Sequence, residues 1–269
     1  MTTTASPPTL VPPGLDDTIE PWLEARLLGN VAQFAQRPVL LDVGAYQGKF
    51  ARRFLNLQPA AFREAVLFEP NPENFAKLQT DFASDRRVRL EPVGCDTQAG
   101  THEFFCRGET YTGSLLPYAD AERNGTGTKQ TVPLIALDEF LAMHGLRDRI
   151  GLLKIDTQGN DLRVLQGAVE TLRASRPWLV VELIYTPLYV GQASPSALGV
   201  WLAGQNYVWA GQFNEYYSED GWLGWADGCF VPREAVRTGE VKYFKRPTAA
   251  RARKEHGFWR SIKRRLRGR

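Results

Sequence analysis

The sequence predicts an α/β fold in which helices cover both faces of a doubly wound, mostly parallel, seven-stranded sheet. Short apolar runs such as VLLDVG and AVLFE end on a glycine or an acidic residue, and a stretch with helical periodicity follows each of them. The runs are apolar without alternation, which is typical of strands buried on both faces. Strands separated by helices form right-handed βαβ units and therefore a parallel sheet.

The first half of the chain contains three such strands. We expect strands at 37–45, 65–70 and 87–94, with helices at 49–57 and 71–82 between them. An earlier helix is predicted over 19–34, and Pro38 ends it because proline does not continue a helix. Pro72 suits the first turn of its helix, where a missing N–H costs nothing.

Residues 100–135 interrupt the alternation, and their short runs and turns predict a β-rich insert after the third strand. The alternation then resumes with helices at 137–144, 160–175 and 194–205, strands at 151–156 and 177–185, and a terminal antiparallel pair, YVWAGQF and GCFVP. Seven strands with a late hairpin follow from this order.

The chain divides by composition into a disordered leader over 1–14, one folded domain over 15–248 and a basic amphipathic tail over 249–269. Residues 251–269 contain nine Lys or Arg and one Glu, a net charge of +8, which against the whole-chain +3 leaves −5 for residues 1–250. A nucleic-acid enzyme more often has basic residues across its body. We therefore expect no nucleic-acid partner.

The sequence also predicts a cytoplasmic protein. No apolar run approaches the roughly 18–20 residues that cross a bilayer, and the first residues lack the charged and apolar regions of a secretory signal. The three cysteines, Cys95, Cys106 and Cys229, have neither CxxC nor Cys/His spacing. Neither a disulfide framework nor a zinc site is expected.

The loop after the first strand predicts a bound cofactor. Gly44 permits a sharp turn against a ligand, and Gly48 lets the next helix pack closely. A dinucleotide site would need G-x-G-x-x-G, but Ala45 and Tyr46 follow Gly44. The D-x-G-x-x-x-G spacing that starts at Asp42 is instead the pattern found where S-adenosylmethionine lies on this loop.

Two further strand ends favour an adenosine-bearing cofactor. Glu69, followed by Pro70, ends the second strand, where a carboxylate can accept both hydroxyls of a ribose. At the third strand end, Gly94, Cys95 and Asp96 provide a close backbone and a carboxylate that suit the adenine edge and its amino group.

In these residues and in the motifs around them, the chain resembles the FkbM family of S-adenosylmethionine-dependent methyltransferases. The matching segments run from about residue 39 to 184 in the family's order: LLDVGAYQGKF, LFEPNPENFAKL, TGSLLP, VPLIALDEFL, LLKIDTQGNDLRVLQGA and PWLVVELI. The resemblance implies the Rossmann-like class I methyltransferase fold and, usually, O-methylation of a hydroxyl.

The resemblance also implies roles for individual residues. Asp42, Gly44 and Gly48 would hold the methionine part of the cofactor, and Ser114, in the insert, would face the cofactor. Glu69 would hold the ribose, and Cys95 with Asp96 the adenine region. The chain departs from the family at Tyr46, where Asn is frequent, and at Gln158, where Glu is frequent.

Three residues are the catalytic candidates. Methyl transfer requires alignment of the nucleophile with the methyl group and loss of a proton from a hydroxyl acceptor. Asp156, at the fourth strand end, is the first candidate for the base or for orienting the acceptor, and Glu182 at the next strand end is the second. Lys154 shares a strand face with Asp156, and the two can form an ion pair that lowers the carboxyl pKa.

Several alternatives stay open at this point. Lys154 and Asp156 can be an inert internal pair, or Asp156 and Glu182 can hold a divalent ion, although no third ligand is evident. Asn160 or Asp161 is expected to cap a helix. His102 and His144 are expected to be structural.

Two segments suggest binding surfaces. The aromatic loop over 214–227 predicts either stacking on a sugar ring or a packed hairpin. The tail over 251–269 places Phe258, Trp259, Ile262 and Leu266 near one helical face among arginines, which suits peripheral contact with an anionic membrane.

The sequence therefore predicts an S-adenosylmethionine-dependent O-methyltransferase that acts on a hydroxyl of a small molecule, secondary metabolite or glycan. One alternative is N-methylation of a similar acceptor. Another is a non-catalytic adenosine-binding module tethered by its basic tail.

Overall fold

The computed structural model describes residues 36–57, 61–106, 113–120 and 128–236. The strands are β1 (Val39–Val43), β2 (Glu64–Phe68), β3 (Val88–Glu91), β4 (Gly94–Cys95), β5 (Gly100–Cys106), β6 (Thr128–Ile135), β7 (Ile150–Ile155), β8 (Trp178–Ile184), β9 (Tyr207–Tyr217) and β10 (Leu223–Pro232). The helices are α1 (Lys49–Leu57), α2 (Pro72–Asp81), α3 (Leu137–Met143), α4 (Asp161–Gln166), α5 (Val169–Ser175) and α6 (Pro195–Gly204), and a short 3₁₀ helix follows at Arg233–Ala235.

A seven-stranded sheet in the order β3-β2-β1-β7-β8-β10-β9 organises the described residues. The first five strands in this order are parallel, and β10 runs antiparallel to both β8 and β9. The order reverses between β1 and β7, so these two strands form the switch point at which ligands bind in open α/β sheets. The predicted doubly wound seven-stranded sheet with a late hairpin is confirmed.

Each face of this sheet packs against its own apolar cluster. Alternate residues of the central strands, such as Leu41 and Leu153, pack with α3, α4 and α5 on one face. Their neighbours Leu40 and Leu152 pack with α1 and α2 on the other face. Because both faces are buried, the strands read as continuous apolar runs.

The insert forms a separate three-stranded sheet, in the order β4-β6-β5. This confirms the predicted β-rich insert but corrects the predicted third strand over 87–94. That strand ends at Glu91, and Gly94–Cys95 pairs with β6 of the small sheet. The turn after β3 therefore joins the two sheets.

The predicted helix over 160–175 is in fact two helices, α4 and α5. A Cβ on Gly167 would lie 2.2 Å from the Asp96 carbonyl oxygen, so the chain passes too close there for any side chain. The backbone N–H of Asp138 donates to the Gly167 carbonyl at 2.8 Å. The Asp138 carboxylate accepts from the N–H groups of Glu170 and Thr171 at 2.9 and 2.8 Å, which caps the new helix start.

Other boundaries agree closely with the prediction, and α1 spans the predicted residues. Helix α2 begins at Pro72, and the side chain of Asn71 accepts from two N–H groups of its first turn. The predicted leader over 1–14, the helix over 19–34, the boundary at 248 and the tail over 249–269 lie outside the described residues.

Candidate active site

The loop after β1 turns back against the end of β7. Gly44 has φ +72°, and a Cβ there would lie 1.9 Å from the carbonyl oxygen of Asp156. The N–H groups of Gly44 and Ala45 donate to the Phe68 carbonyl at 3.1 and 3.0 Å, which ties the loop to β2. A side chain at residue 44 would separate the loop from Asp156, so glycine is required here for both space and conformation.

Gly48 serves packing, as the sequence predicts. It has φ +69°, and a Cβ would lie 2.3 Å from the ring of Phe82, at the end of α2. Tyr46, between the two glycines, also has a positive φ of 51°. The loop is therefore strongly curved, and its backbone N–H groups point toward β2.

The Glu69 carboxylate lies directly beyond β2 and beside this loop. Its Oε2 accepts from the Tyr46 N–H at 2.7 Å, and its Oε1 accepts from the Asn71 N–H at 2.9 Å. Burial raises the pKa of Glu69 to about 7, against the opposing effect of these two hydrogen bonds. The Asn74 side chain also donates to this carboxylate, so of the roughly four acceptor positions on its two oxygens one is left for a ligand hydroxyl.

Lys154 joins β1 to β7. Its Nζ lies 3.1 Å from Asp42 Oδ1 and 3.7 Å from Asp156 Oδ2, and it donates to the Gly44 carbonyl at 2.7 Å. Burial alone would lower the pKa of Lys154, but the charges of Asp42 and Asp156 reverse this and raise it. Lys154 is therefore a buried cation that holds the loop, with Asp42 rather than Asp156 as its nearer partner.

This arrangement changes the role of Asp42. The side chain of Asp42 is fully buried, so in this conformation it has no surface with which to contact a cofactor. Burial raises its pKa, and the charge of Lys154 opposes that change. Asp42 supports the loop through Lys154 instead of holding the methionine part directly.

Asp156 and Glu182 lie side by side at the carboxyl edge of the sheet. The last ladder pair of β7 and β8 is Ile155 with Val181, and each acidic residue is the next one along its strand. The Gln158 amide bridges them: Nε2 donates to Asp156 Oδ1 at 2.9 Å and to both oxygens of Glu182 at 3.1 Å. The structure thus brings together the two acids that the sequence separates by 26 residues.

Asp227 is a third acid here, and it is not among the residues predicted from the sequence. It is the register partner of Glu182 across β8 and β10, so the two side chains share a face of the sheet. Asn214 donates to its Oδ2 at 2.8 Å. A charged residue within an apolar strand is the signal that singled out Lys154. Asp227, in the run ADGCF, shows the same signal.

Electrostatics favour protonation of part of this cluster. Burial, together with the charge of Asp156, raises the pKa of Asp227 to about 7. The pKa of Glu182 rises well above its usual range, first through burial and then through the charge of Asp156. A set of closely spaced carboxyl groups with different proton affinities is suited to moving a proton.

In the turn predicted for the adenine region, Cys95 and Asp96 make hydrogen bonds to other residues of the protein. Cys95 is buried, and its carbonyl accepts from the Asn160 side chain at 3.2 Å. The Asp96 carboxylate accepts from Arg163 Nε at 2.8 Å and from the Thr97 N–H at 2.5 Å, both through Oδ1. Asp96 therefore enters the site paired with an arginine.

Ser114 is fully buried in this structure, and its predicted contact with the cofactor stays a prediction. Its hydroxyl donates to the carbonyl of Gln158 at 2.7 Å and accepts from the Leu116 N–H at 3.0 Å. Ser114 therefore connects the insert to the loop after β7.

The expected helix cap is confirmed in position only. Asn160 is the cap residue by position, but its side chain makes no cap hydrogen bond. The Asp161 carboxylate accepts from the N–H groups of Thr157 and Gly159 at 3.0 and 3.1 Å, which closes the loop before the helix. Burial raises the pKa of Asp161 to about 6.

The two histidines lie away from the acidic side chains, and the predicted aromatic loop is not a loop over most of its length. His102 is exposed on β5, and His144 is exposed at the end of α3, near the amino end of the sheet. The predicted aromatic loop over 214–227 is mostly strand, because β9 extends to Tyr217 and β10 begins at Leu223. This corresponds to the packed-hairpin alternative.

The hairpin nevertheless presents aromatic rings at the carboxyl edge. Tyr216 and Trp225 stack with ring centroids 4.0 Å apart, and Trp222 at the tip is 73% exposed. Trp225 is the register partner of Ile184, two residues beyond Glu182 on β8. The stacked pair therefore lies next to the acidic side chains.

A divalent ion has less support than the sequence suggests. Among the residues that the structure describes, no group of three or more His, Cys, Asp or Glu side chains is placed to hold a metal ion. The amide nitrogen of Gln158, a donor and not a ligand, lies between the Asp156 and Glu182 carboxylates.

The three cysteines are free, and no helix in the described ranges is long and apolar enough to cross a bilayer.

The fold and site define a class I methyltransferase: a switch-point loop with two glycines, a carboxylate beyond β2, and acids beyond β7 and β8. The sequence model of the methyltransferase FkbM domain family matches residues 42–209, and the chain belongs to this family. Membership implies S-adenosylmethionine as the methyl donor.

The chain is similar to the 2-O-methyltransferase NoeI of Sinorhizobium fredii, with 30% identity over 166 residues, 58% of this chain and 67% of that protein. Among solved structures it is similar to the FkbM methyltransferase of Methylobacillus flagellatus, with 13% identity and a TM-score of 0.48. That match covers 73% of this chain but 44% of the other. A magnesium protoporphyrin IX methyltransferase of Synechocystis matches with 9% identity and a TM-score of 0.41, over 82% and 84% of the two chains.

Proposed function

We propose that the protein transfers a methyl group from S-adenosylmethionine to a hydroxyl of a small molecule or glycan. The observation that supports this most directly is the contact between Gly44 of the cofactor loop and the main chain of Asp156. Asp156 is thus next to the place where the donor would bind. The relative NoeI is named a 2-O-methyltransferase, which favours oxygen as the nucleophile.

The described residues fit the cofactor. Gly44 places no side chain between the loop and Asp156, and the Glu69 carboxylate has an acceptor position left for a ribose hydroxyl beside its three internal hydrogen bonds. Pro70, Cys95 and Asp96 would border the adenine. When bound, S-adenosylmethionine supplies an electrophilic methyl group.

The protein's own part in the reaction is proton removal and alignment. Asp156 accepts the acceptor's hydroxyl proton as the oxygen attacks, because its side chain is 35% exposed and its main chain lies against the cofactor loop. Glu182, whose pKa is raised, holds a proton and can orient the acceptor through a hydrogen bond. Lys154 keeps the loop and Asp156 at a constant separation.

Two measurements test the cofactor assignment. Calorimetric titration with S-adenosylmethionine and S-adenosylhomocysteine should show binding by the wild type and strong weakening by Glu69→Gln. Glu73→Gln, an exposed acid on the next helix, is the matched control and should bind normally. Absence of wild-type binding would refute the assignment.

A transfer assay tests the reaction. Incubation with methyl-tritiated S-adenosylmethionine and a panel of sugars, oligosaccharides, phenols and amines should label hydroxyl-bearing compounds. Asp156→Asn should retain cofactor binding and lose turnover, which also separates an enzyme from a non-catalytic adenosine-binding module. Labelling of amines alone would support N-methylation instead, for which the acidic cluster would provide attraction to a cationic acceptor.

We also propose that the basic tail over 251–269 contacts an anionic membrane surface, which would suit a lipid-linked acceptor. The support is its charge of +8 together with the apolar residues Phe258 and Trp259.

A further inference from the structure

Gln158 has an unusual position in the active site. It lies in the loop after β7 with a left-handed backbone, φ +57°, and its side chain is directed between the two acids. The amide has two protons on Nε2, and the structure uses them for Asp156 at 2.9 Å and Glu182 at 3.1 Å. No proton of this amide is left for solvent.

Both ends of Gln158 are fixed by other segments. The Tyr189 hydroxyl donates to its Oε1 at 2.7 Å, so the amide is oriented with its nitrogen toward the acids. The Ser114 hydroxyl donates to its main-chain carbonyl at 2.7 Å. Tyr189 is itself buried and pairs with Tyr118 of the insert, with ring centroids 5.3 Å apart.

We propose that Gln158 is a positioning residue of the acceptor site, whose amide, oriented by Tyr189, holds the carboxylates of Asp156 and Glu182 together so that one hydroxyl contacts both. The catalytic meaning of this inference rests on the proposed hydroxyl methylation. The geometric part, a bridging amide that governs the two carboxyl groups, does not need an acceptor.

The chemistry of the bridge explains its value. Ionisation of Glu182 beside Asp156 would bring two like charges together, and the amide supplies one N–H to each acid without adding charge. Glu182 also faces Asp161 from α4 and Asp227 from β10. A neutral donor therefore relieves repulsion in a cluster in which Lys154 is the nearest cation, engaged mainly by Asp42.

Replacing the amide with an acid removes the bridge without changing its size. In Gln158→Glu, the group facing Glu182 becomes an acceptor that can be charged, so both the lost hydrogen bond and the added charge raise the pKa of Glu182 further. Glutamate tolerates the backbone as well as glutamine does, so the loop is retained. Tyr189→Phe leaves the amide free to rotate and should produce a smaller shift in the same direction.

The test is a carbon-13 titration of the full-length protein labelled at glutamate carboxyl carbons, with the Glu182 signal assigned by its loss in Glu182→Gln. We expect the Glu182 midpoint to move to higher pH in Gln158→Glu and, less, in Tyr189→Phe. Tyr185→Phe is the matched control: it removes a 2.6 Å tyrosine-to-glutamine hydrogen bond, to Gln212, on the opposite face of the sheet, and should move nothing.

The outcomes separate the two proposals. An unchanged Glu182 midpoint in Gln158→Glu, with the melting temperature and cofactor binding retained, overturns the positioning role. If Gln158→Glu does not fold, the result for Tyr189→Phe decides in the same way. With an acceptor from the transfer panel, Gln158→Glu should lower kcat at least tenfold and leave the KM for S-adenosylmethionine unchanged. A wild type that methylates nothing refutes the proposed function while the titration result stands.

Discussion

Replacing Lys154 with methionine tests the buried ion pair that joins β1 to β7. The Lys154 side chain is 10% exposed and its partner Asp42 is 0% exposed, so the substitution leaves a buried carboxylate without its cation. Such a loss costs about 3–5 kcal/mol. At roughly 2–4 °C per kcal/mol for a domain of this size, the melting temperature should fall by about 6–20 °C.

The double variant Lys154→Met with Asp42→Asn identifies the cause. Neutralising Asp42 removes the uncompensated charge, so urea and thermal unfolding should show recovery of about 1–3 kcal/mol of the lost stability. Cofactor affinity should not recover, because the 2.7 Å hydrogen bond from Lys154 to the Gly44 carbonyl is still missing. A double variant no more stable than Lys154→Met would refute the reasoning.

Three further predictions concern the cofactor and the tail. Gly44→Ala should abolish S-adenosylmethionine binding in calorimetry and lower the melting temperature, because its Cβ would lie 1.9 Å from the Asp156 carbonyl and φ is +72°; normal binding would contradict the loop assignment. Burial raises the pKa of Glu69 to about 7, so the carboxylate takes a proton as the pH drops below 7. The affinity for S-adenosylmethionine should then fall, by at most about tenfold per pH unit. Glu69→Gln should show no such pH dependence. Full-length protein should sediment with phosphatidylserine liposomes more than a chain ending at Thr248, and equal sedimentation would refute tail-mediated membrane contact.

The stability of the domain should also respond to Glu69, and the sign follows from its raised pKa. The folded state binds the proton more tightly than the unfolded chain, so this contribution is complete below pH 4.5 and is lost as pH rises through about 7. The shift corresponds to about 3 kcal/mol. In Glu69→Gln, this part of the pH dependence should disappear.

Much of the site could be predicted because parallel strands place their carboxyl ends at one edge of the sheet. Gly44, Glu69, Asp156 and Glu182 each follow an apolar run, and the strand order brings them together. Local signals therefore sufficed to find these residues. Their partners were harder to predict, because hydrogen bonding depends on neighbours that are distant in sequence.

Asp42 and Ser114 show this limit. Both lie where the family pattern places cofactor contacts, yet their side chains are fully buried and serve as supports, one for Lys154 and the other for the Gln158 carbonyl. Asp227 shows the converse, because it comes from an antiparallel hairpin and reaches the acids only through pairing with β8.

The alternation of strands and helices, the two-glycine loop and the acids Glu69, Asp156 and Glu182 could be read from residue type and spacing, because each depends only on neighbours along the chain. The tertiary structure alone decided that Lys154 pairs first with Asp42 across β1 and β7, and that Gln158 bridges Asp156 and Glu182. The physical reason is register: which charges meet is set by how strands distant in sequence align.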